Sequence, residues 1–241
     1  MTRSEFLKAI RALSSCYVER RGRLSEKSPM DSAGKRAAFA GFYAPLHFLT
    51  IRAIVAALGP AAVPAAIVDL GCGTGVAGAA WALACARPPT ITGIDVNQWA
   101  LDEARDTWRS LGLTGRAQRG SLIAELERLT RSPRGRNSDP GIVLGWSLNE
   151  LERSLRDRAL TMVLDLAGRG APVLMVEPVA RRLVPWWDDF ADRAVAAGAR
   201  ADEWRFTDPL PPALADLDRD AGFEREALTA RGLFFQLTSN F

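Results

Sequence analysis

The sequence predicts an α/β fold, a doubly wound, seven-stranded, mainly parallel sheet that ends in an antiparallel hairpin and follows a helical N-terminal extension. Three observations carry this reading. From residue 65 onward, apolar strand-like runs alternate with helical patterns, as parallel β-α units do. The first run, AAIVDL at 65–70, meets a glycine cluster (Gly71, Gly73, Gly75) that opens an Ala-rich helix. At the C-terminus, FEREALTA and RGLFFQLTS are two β-like runs split by Ala230-Arg231-Gly232, a spacing that suggests a hairpin.

In chain order, residues 3–20 place Phe6, Leu7, Ile10, Leu13 and Tyr17 near helical spacing, so an amphipathic helix is expected. The polar stretch RRGRLSEKSPMDSAGKR reads as a loop. A second helix is expected over 35–58, reset at Pro45 and stopped by Gly59-Pro60. Residues 1–59 thus form the extension and 60–241 the α/β domain. Within that domain the Ala-rich helix runs to about 86. Strand ITGID (91–95), a helix over 98–111, a short strand at 115–119 and a helix over 121–131 follow. A Pro/Gly/Ser-rich loop at 132–140 leads to strand IVLGWS (142–147), a helix over 151–168 and strand APVLMVEP (171–178). A helix near 186–198, a short strand in DEWRF and a Pro-initiated helix in PPALADLDRDAG precede the terminal pair.

Composition narrows the function. The chain has 241 residues, 48% hydrophobic and 24% charged, which excludes a disordered or fibrous class. No uninterrupted apolar run approaches the roughly 18 residues of a bilayer span, and the N-terminus lacks the apolar core of a secretory signal. A cytoplasmic protein with no membrane partner is therefore expected. Three cysteines and one histidine are too few for zinc or iron–sulfur ligation, so no metal is expected. The net charge of +3 is unevenly placed, with basic clusters within residues 1–40 and in a stretch containing Arg116, Arg119, Arg128, Arg131, Arg134 and Arg136. Such clusters serve either as solvated surface or as phosphate contacts, which keeps RNA open as a partner.

The stretch IVDLGCGTGVAGAAWA carries the chemistry. Glycines permit a tight turn and close approach of a ligand to backbone, and the following helix aims its N-terminal amides at the same crevice. Asp95 ends the next strand, where an acid accepts both hydroxyls of a ribose. Gly73 to Gly78 satisfies the dinucleotide pattern GxGxxG, yet Asp69-Leu70-Gly71-Cys72-Gly73-Thr74-Gly75 describes the register better. An acid two residues before the first glycine suits a ligand bearing an ammonium and would repel a pyrophosphate.

That heptad resembles the first motif of the class I S-adenosylmethionine-dependent methyltransferases, D-x-G-x-G-x-G, and GIDVN resembles their second. The resemblance spans roughly residues 60–240 and implies a Rossmann-like sheet whose hairpin supplies strands six and seven. It also implies S-adenosyl-L-methionine as cofactor and methyl transfer as the activity. By the family pattern Asp69 and the backbone of Gly71, Cys72 and Gly73 hold the methionine end, Asp95 the ribose, and Val96 lies beside the adenine. The family often places an acid after strand three. This chain has Ser121 and the Leu122 amide there, and Trp146 at the end of strand four completes the expected cofactor set. The Asn/Asp-Pro-Pro-Tyr tetrad of amide-methylating members is absent after strand four. SLNEL after that strand and VEP at the end of the next resemble a methyltransferase-like family of small ribosomal subunit assembly, without that family's cysteine cluster.

On the acceptor side, Phe39, Phe42, Tyr43, His47 and Phe48 form an aromatic group at helical spacing. Two readings apply: a helix packed on the sheet, or a pocket wall with Tyr43 or His47 near the acceptor and His47 as general base. Asn149 and Glu150 either orient the acceptor or cap the next helix. Glu177 is expected as a buried, hydrogen-bonded strand end, and Trp186 and Trp187 as helix packing or pocket lining. Three functions compete: a methyltransferase acting on a small molecule or a macromolecule, a non-catalytic, cofactor-binding RNA or ribosome assembly factor, and a nicotinamide dehydrogenase.

Overall fold

The computed structural model describes residues 1–19, 30–59, 64–132 and 140–236. The polar stretch from 20 to 29, the Pro60 stop, most of the 132–140 loop and the end of the last β-like run lie outside these residues. So do Arg20, Arg21, Arg23, Lys27, Arg134 and Arg136.

Seven strands form one sheet in the order β3-β2-β1-β4-β5-β7-β6. They are β1 (Ala66–Leu70), β2 (Thr90–Asp95), β3 (Gly115–Arg119), β4 (Gly141–Gly145), β5 (Val173–Glu177), β6 (Arg200–Phe206) and β7 (Leu228–Phe235). The first five are parallel, while β7 runs antiparallel between β5 and β6.

Burial on both faces explains why the central strands read as continuous apolar runs rather than alternating ones. On one face Val143, Leu174 and Val176 pack with Trp81, Leu101 and Trp108. These belong to α4 (Val76–Leu83) and α5 (Gln98–Ser110). On the other face Ile142, Leu144 and Met175 meet Leu126, Leu160, Val163 and Phe190. Those come from α6 (Leu122–Arg131), α7 (Arg153–Gly168) and α8 (Trp187–Ala196).

The extension comprises α1 (Arg3–Glu19), α2 (Ala33–Ala38) and α3 (Ala44–Leu58), with a π-helical turn at Phe39–Tyr43 joining the last two. The reset expected at Pro45 is this turn. Proline has no N–H for the carbonyl four residues back, and the chain widens to an i→i+5 bond, Ala44 N–H to Phe39 O, just before it. Residues 33–58 are long and apolar enough to cross a membrane, by length and composition alone. The reading from uninterrupted apolar runs missed this, because Arg36, His47 and Arg52 punctuate a mainly apolar stretch. In this fold the helix is a core element: Ile51, Ile54 and Val55 are buried against the α4 side of the sheet. A third cluster joins Ile10, Leu13, Phe42 and Leu46 to Leu214 and Ala221, from α9 (Pro212–Asp220) and the residue after it. The segment between β6 and β7 therefore holds the extension in place. Arg3 pairs with Asp220 at 2.5 Å across this contact.

The hairpin differs from expectation. Its strands are β6, longer than DEWRF, and β7, which runs unbroken through Ala230-Arg231-Gly232. FEREALTA is mostly connection, with Glu224 at φ +49°. Gly232 is a packing glycine rather than a turn: a Cβ there would lie 2.8 Å from Trp204 Nε1. Two arginines of the second basic stretch form local ion pairs. Arg128 pairs with Glu125 at 2.6 Å, while Arg131 and Arg158 both reach Glu127 at 2.7 Å.

Candidate cofactor and acceptor site

From β1 the chain winds outward through β2 to β3, then returns to the other side of β1 as β4. Loops leaving β1 and β4 diverge there, opening a crevice at the carboxyl ends of the strands. The loop Gly71–Gly75 forms one side of it, and Trp146 and Ser147 form the other.

Gly71, Gly73 and Gly75 adopt φ of +69°, +50° and +76°, values that side-chain-bearing residues rarely take. Two of them also admit a neighbour. A Cβ on Gly71 would fall 2.5 Å from Ser147 Cβ, and one on Gly75 would fall 2.7 Å from Trp108 Nε1. Gly73 faces more open space, where the Phe39 ring at 3.9 Å is the nearest group among the described residues. The amides of Gly71 and Cys72 both donate to Ile94 O, at 2.8 and 3.0 Å. Cys72 is buried, its sulfur filling the space that Gly93 leaves. Burial raises its thiol well above the ordinary value.

Asp69 is buried beneath this loop. Its Oδ2 accepts from Gly78 N at 2.8 Å, and a Cβ on Gly78 would come within 2.9 Å of that oxygen. Its Oδ1 has no partner among the described residues. Burial pushes the carboxyl up to about 7, the Gly78 bond opposes this, and the charge of Asp95 adds to it. Asp95 ties the loop to the second strand, accepting from Gly73 N at 2.9 Å through one oxygen and from Asn97 N at 2.8 Å through the other. Each carboxylate oxygen keeps a lone pair for a further donor. Val96 stands 66% exposed beyond it. Ser121 spends its hydroxyl capping α6, accepting from Ile123 N at 3.2 Å. Leu122 is buried with a methyl 3.8 Å from where a Gly71 Cβ would be.

Trp146 leaves β4 at φ +57°, a strained conformation for a bulky residue. Its ring stacks on His47 with centroids 3.9 Å apart and planes 13° apart, and His47 meets Phe39 edge-on at 5.9 Å. The extension thus lays an aromatic wall of Phe39, His47 and Trp146 beside the glycine loop. Burial lowers the His47 ring to about 4, and the charge of Arg225 adds to the shift, so the ring is neutral near pH 7. Tyr43 stands apart from this wall in its bonding. Its hydroxyl donates to Ile10 O at 2.9 Å and tethers α1.

Asn149 sits in a single 3₁₀ turn after β4 and donates its amide to the buried Glu177 at the end of β5. The expected strand end at Glu177 is therefore hydrogen-bonded to the residue proposed to orient an acceptor. Arg156, Trp108 and the π turn were not anticipated. Nothing in the linear sequence marks which helix residues face the ends of strands distant in sequence. Among the described residues no group of His, Cys, Asp and Glu is placed to hold a metal ion.

Residues 52–130 match the family model of the methyltransferase small domain. No curated protein matches in sequence. An O-methyltransferase family protein from Burkholderia thailandensis superimposes with a TM-score of 0.51 at 19% identity, covering 88% of this chain. The chain spans 62% of that protein's length. A candidate O-methyltransferase from Nostoc punctiforme superimposes with a TM-score of 0.51 at 14% identity, covering 94% of this chain and 72% of the other. A protein studied for conversion of a disulfide bond into a thioacetal group during echinomycin biosynthesis gives 0.50 at 16%, covering 78% and 82%. The chain thus shares the fold of these solved structures, and its residues 52–130 are similar to the methyltransferase small domain.

Proposed function

We propose that the protein is an S-adenosylmethionine-dependent methyltransferase whose acceptor docks over the carboxyl ends of β4 and β5. The observation that carries this reading is Asp69, a buried carboxyl with one oxygen lacking a partner among the described residues, at the base of the glycine loop. That arrangement fits the ammonium of the cofactor's methionine end, and the cradle above Gly73 admits its backbone-close approach. Bound there, the cofactor supplies a methyl group already activated on a sulfonium.

The chain's own residues then bind and align. Asp69 accepts from the ammonium, and the Gly71–Gly73 backbone lines the methionine end. Asp95 offers its remaining lone pairs to ribose hydroxyls, while Val96 and Leu122 flank the base. With Ser121 engaged as a cap, the Leu122 amide N–H is left to donate to an acceptor nitrogen of the adenine ring. The Phe39–His47–Trp146 wall and Asn149 orient the acceptor, and such alignment accounts for much of the rate in a displacement at an activated carbon. His47, neutral and held near 4, serves as wall rather than as a strong base.

Calorimetric titration with S-adenosylmethionine tests the cofactor reading. Micromolar binding is expected, weakened by about 1–3 kcal/mol in Asp95→Ala, which removes charge-assisted hydrogen bonds. Absence of binding to the wild-type protein rejects the proposal. Methyl-labelled cofactor incubated with a fractionated cell extract then assigns the acceptor class, with Asp95→Ala as control.

A further inference from the structure

Around the Asn149–Glu177 bond, several buried polar atoms have no partner among the described residues. They are Asn149 Oδ1, Ser147 Oγ, Arg156 Nε and Trp186 Nε1. Native interiors satisfy such atoms almost without exception, and each one left alone costs about 1–3 kcal/mol. Scattered singly they would mark ordinary imperfection, but these form a patch. Asn149 holds Glu177, and the Arg156 guanidinium donates to Leu151 O at 3.4 Å, two residues on from Asn149. The Arg156 guanidinium in turn lies 5.5 Å from the centre of the Trp186 ring. Ser147 connects the patch to the cofactor loop, since its Cβ abuts the bare α-carbon of Gly71.

We infer that Ser147, Asn149, Arg156 and Trp186 form the recognition site for the acceptor's polar head group, a neutral group presenting a hydrogen-bond donor beside an acceptor, such as a carboxamide. The location rests on the methyltransferase reading, but the ligand class follows from the free valences. Asn149 Oδ1, a carboxamide oxygen, accepts only, and one hydrogen of its amide nitrogen is held by Glu177. Arg156 Nε and Trp186 Nε1 donate only. A ligand satisfying them must therefore both donate and accept. The buried Glu177 and the half-buried Arg156 already bring one charge of each sign to the patch, so a further charge would be desolvated at high cost for little gain. A carboxylate leaves Asn149 Oδ1 facing an acceptor, and an ammonium leaves both donors unmet.

Benzamide, benzoate and benzylamine share a ring and differ only in this head group, so they serve as probes. In ¹⁵N-indole spectra of the cofactor-free protein, the Trp186 resonance is assigned by its loss in Trp186→Phe. It should shift saturably with benzamide and respond at least roughly tenfold more weakly to the two charged probes. Asn149→Leu should abolish the benzamide response. If that variant does not fold, calorimetry of Trp186→Phe should show benzamide binding weakened by roughly fivefold or more. Benzoate or benzylamine binding as tightly as benzamide overturns the inference. So does an unmoved Trp186 resonance, or benzamide binding that is unchanged in the variants. S-adenosylmethionine titrated into the same samples reports separately on the cofactor reading, which stands or falls without the probes.

Discussion

The indole of Trp108 donates from Nε1 to the carbonyl of Gly75 at 2.8 Å, joining the last turn of α5 to the glycine that starts α4. The ring is buried, and it occupies space left by three glycines at once. Beyond Gly75, a Cβ at Gly93 would lie 2.7 Å from the ring, and one at Gly115 would collide with it as well. One side chain thus fixes the end of the cofactor loop and spaces the two strands beyond it. Loop position and strand packing are therefore coupled.

Gly115→Ala should destabilise the protein by about 1–3 kcal/mol through overpacking against the indole. Trp108→Phe should cost a similar amount, about 1–3 kcal/mol, because it removes one of the two hydrogen bonds that Gly75 O accepts, the other coming from Ala79 N at 3.1 Å, and leaves space where the larger ring packed. Since the smaller ring relieves the clash, the double variant should be less destabilised than the sum of the two. Urea denaturation of the four proteins measures the coupling. Strict additivity would show that Gly115 does not carry the indole.

Asp69 should give the free protein a distinctive pH dependence. Its carboxyl stands at about 7 in the folded state against 3.8 when unfolded, so between these values the folded state binds more protons. Its contribution to stability therefore falls as pH rises from about 4 to 7. Asp69→Asn should remove that decline. Binding of a cationic ligand requires the ionised form, so affinity for S-adenosylmethionine should weaken by up to about tenfold per pH unit as pH falls below 7. In Asp69→Asn it should be weaker and flat over the same range. Calorimetry between pH 5.5 and 7.5 checks both statements, and parallel profiles for the two proteins would contradict them.

How much of this was legible in the sequence depends on the range of each interaction. The loop at Gly71, Gly73 and Gly75 was readable because its backbone demands are local and glycine is their signature. The parallel run of β1 to β5 with helices on both faces followed from the repeated β-α units. By contrast, Gly93, Gly115 and Gly232 are glycines for the sake of indoles that arrive from elsewhere in the chain, Trp108 and Trp204, so no local rule distinguishes them from turns. That ambiguity is why the hairpin was split at Gly232 instead of being assembled from β6 and β7. Asn149 and Glu177 each stood out singly, being next to strand ends. Their bond depends on β4 and β5 being neighbours in register, Gly145 opposite Val176, which only the sheet supplies. Ser121 was read as a base contact, and its bond to Ile123 N shows that its hydroxyl also caps α6.

His47 offers the cleanest measurement, because it is the single histidine in the chain and gives one imidazole resonance. Burial against Trp146 holds the ring at about 4, compared with 6.5 for an unperturbed imidazole. A depressed base favours the folded state in its neutral form. The unfolded chain therefore takes up a proton between pH 6.5 and 4 that the folded protein refuses, and this group's contribution to stability is lost as pH falls through that window. The window overlaps the one in which Asp69 acts with the opposite sign, so the two are separated by substitution. His47→Phe preserves a ring against Trp146 and removes the titration. In that variant the acid-side loss should diminish, while cofactor affinity should stay within about threefold of wild type, since no cofactor contact is assigned to the imidazole. An imidazole titrating near 6.5 in the folded wild-type protein would show that the stack opens in solution. The neutral wall beside the glycine loop would then be lost, and His47 would become available as a base.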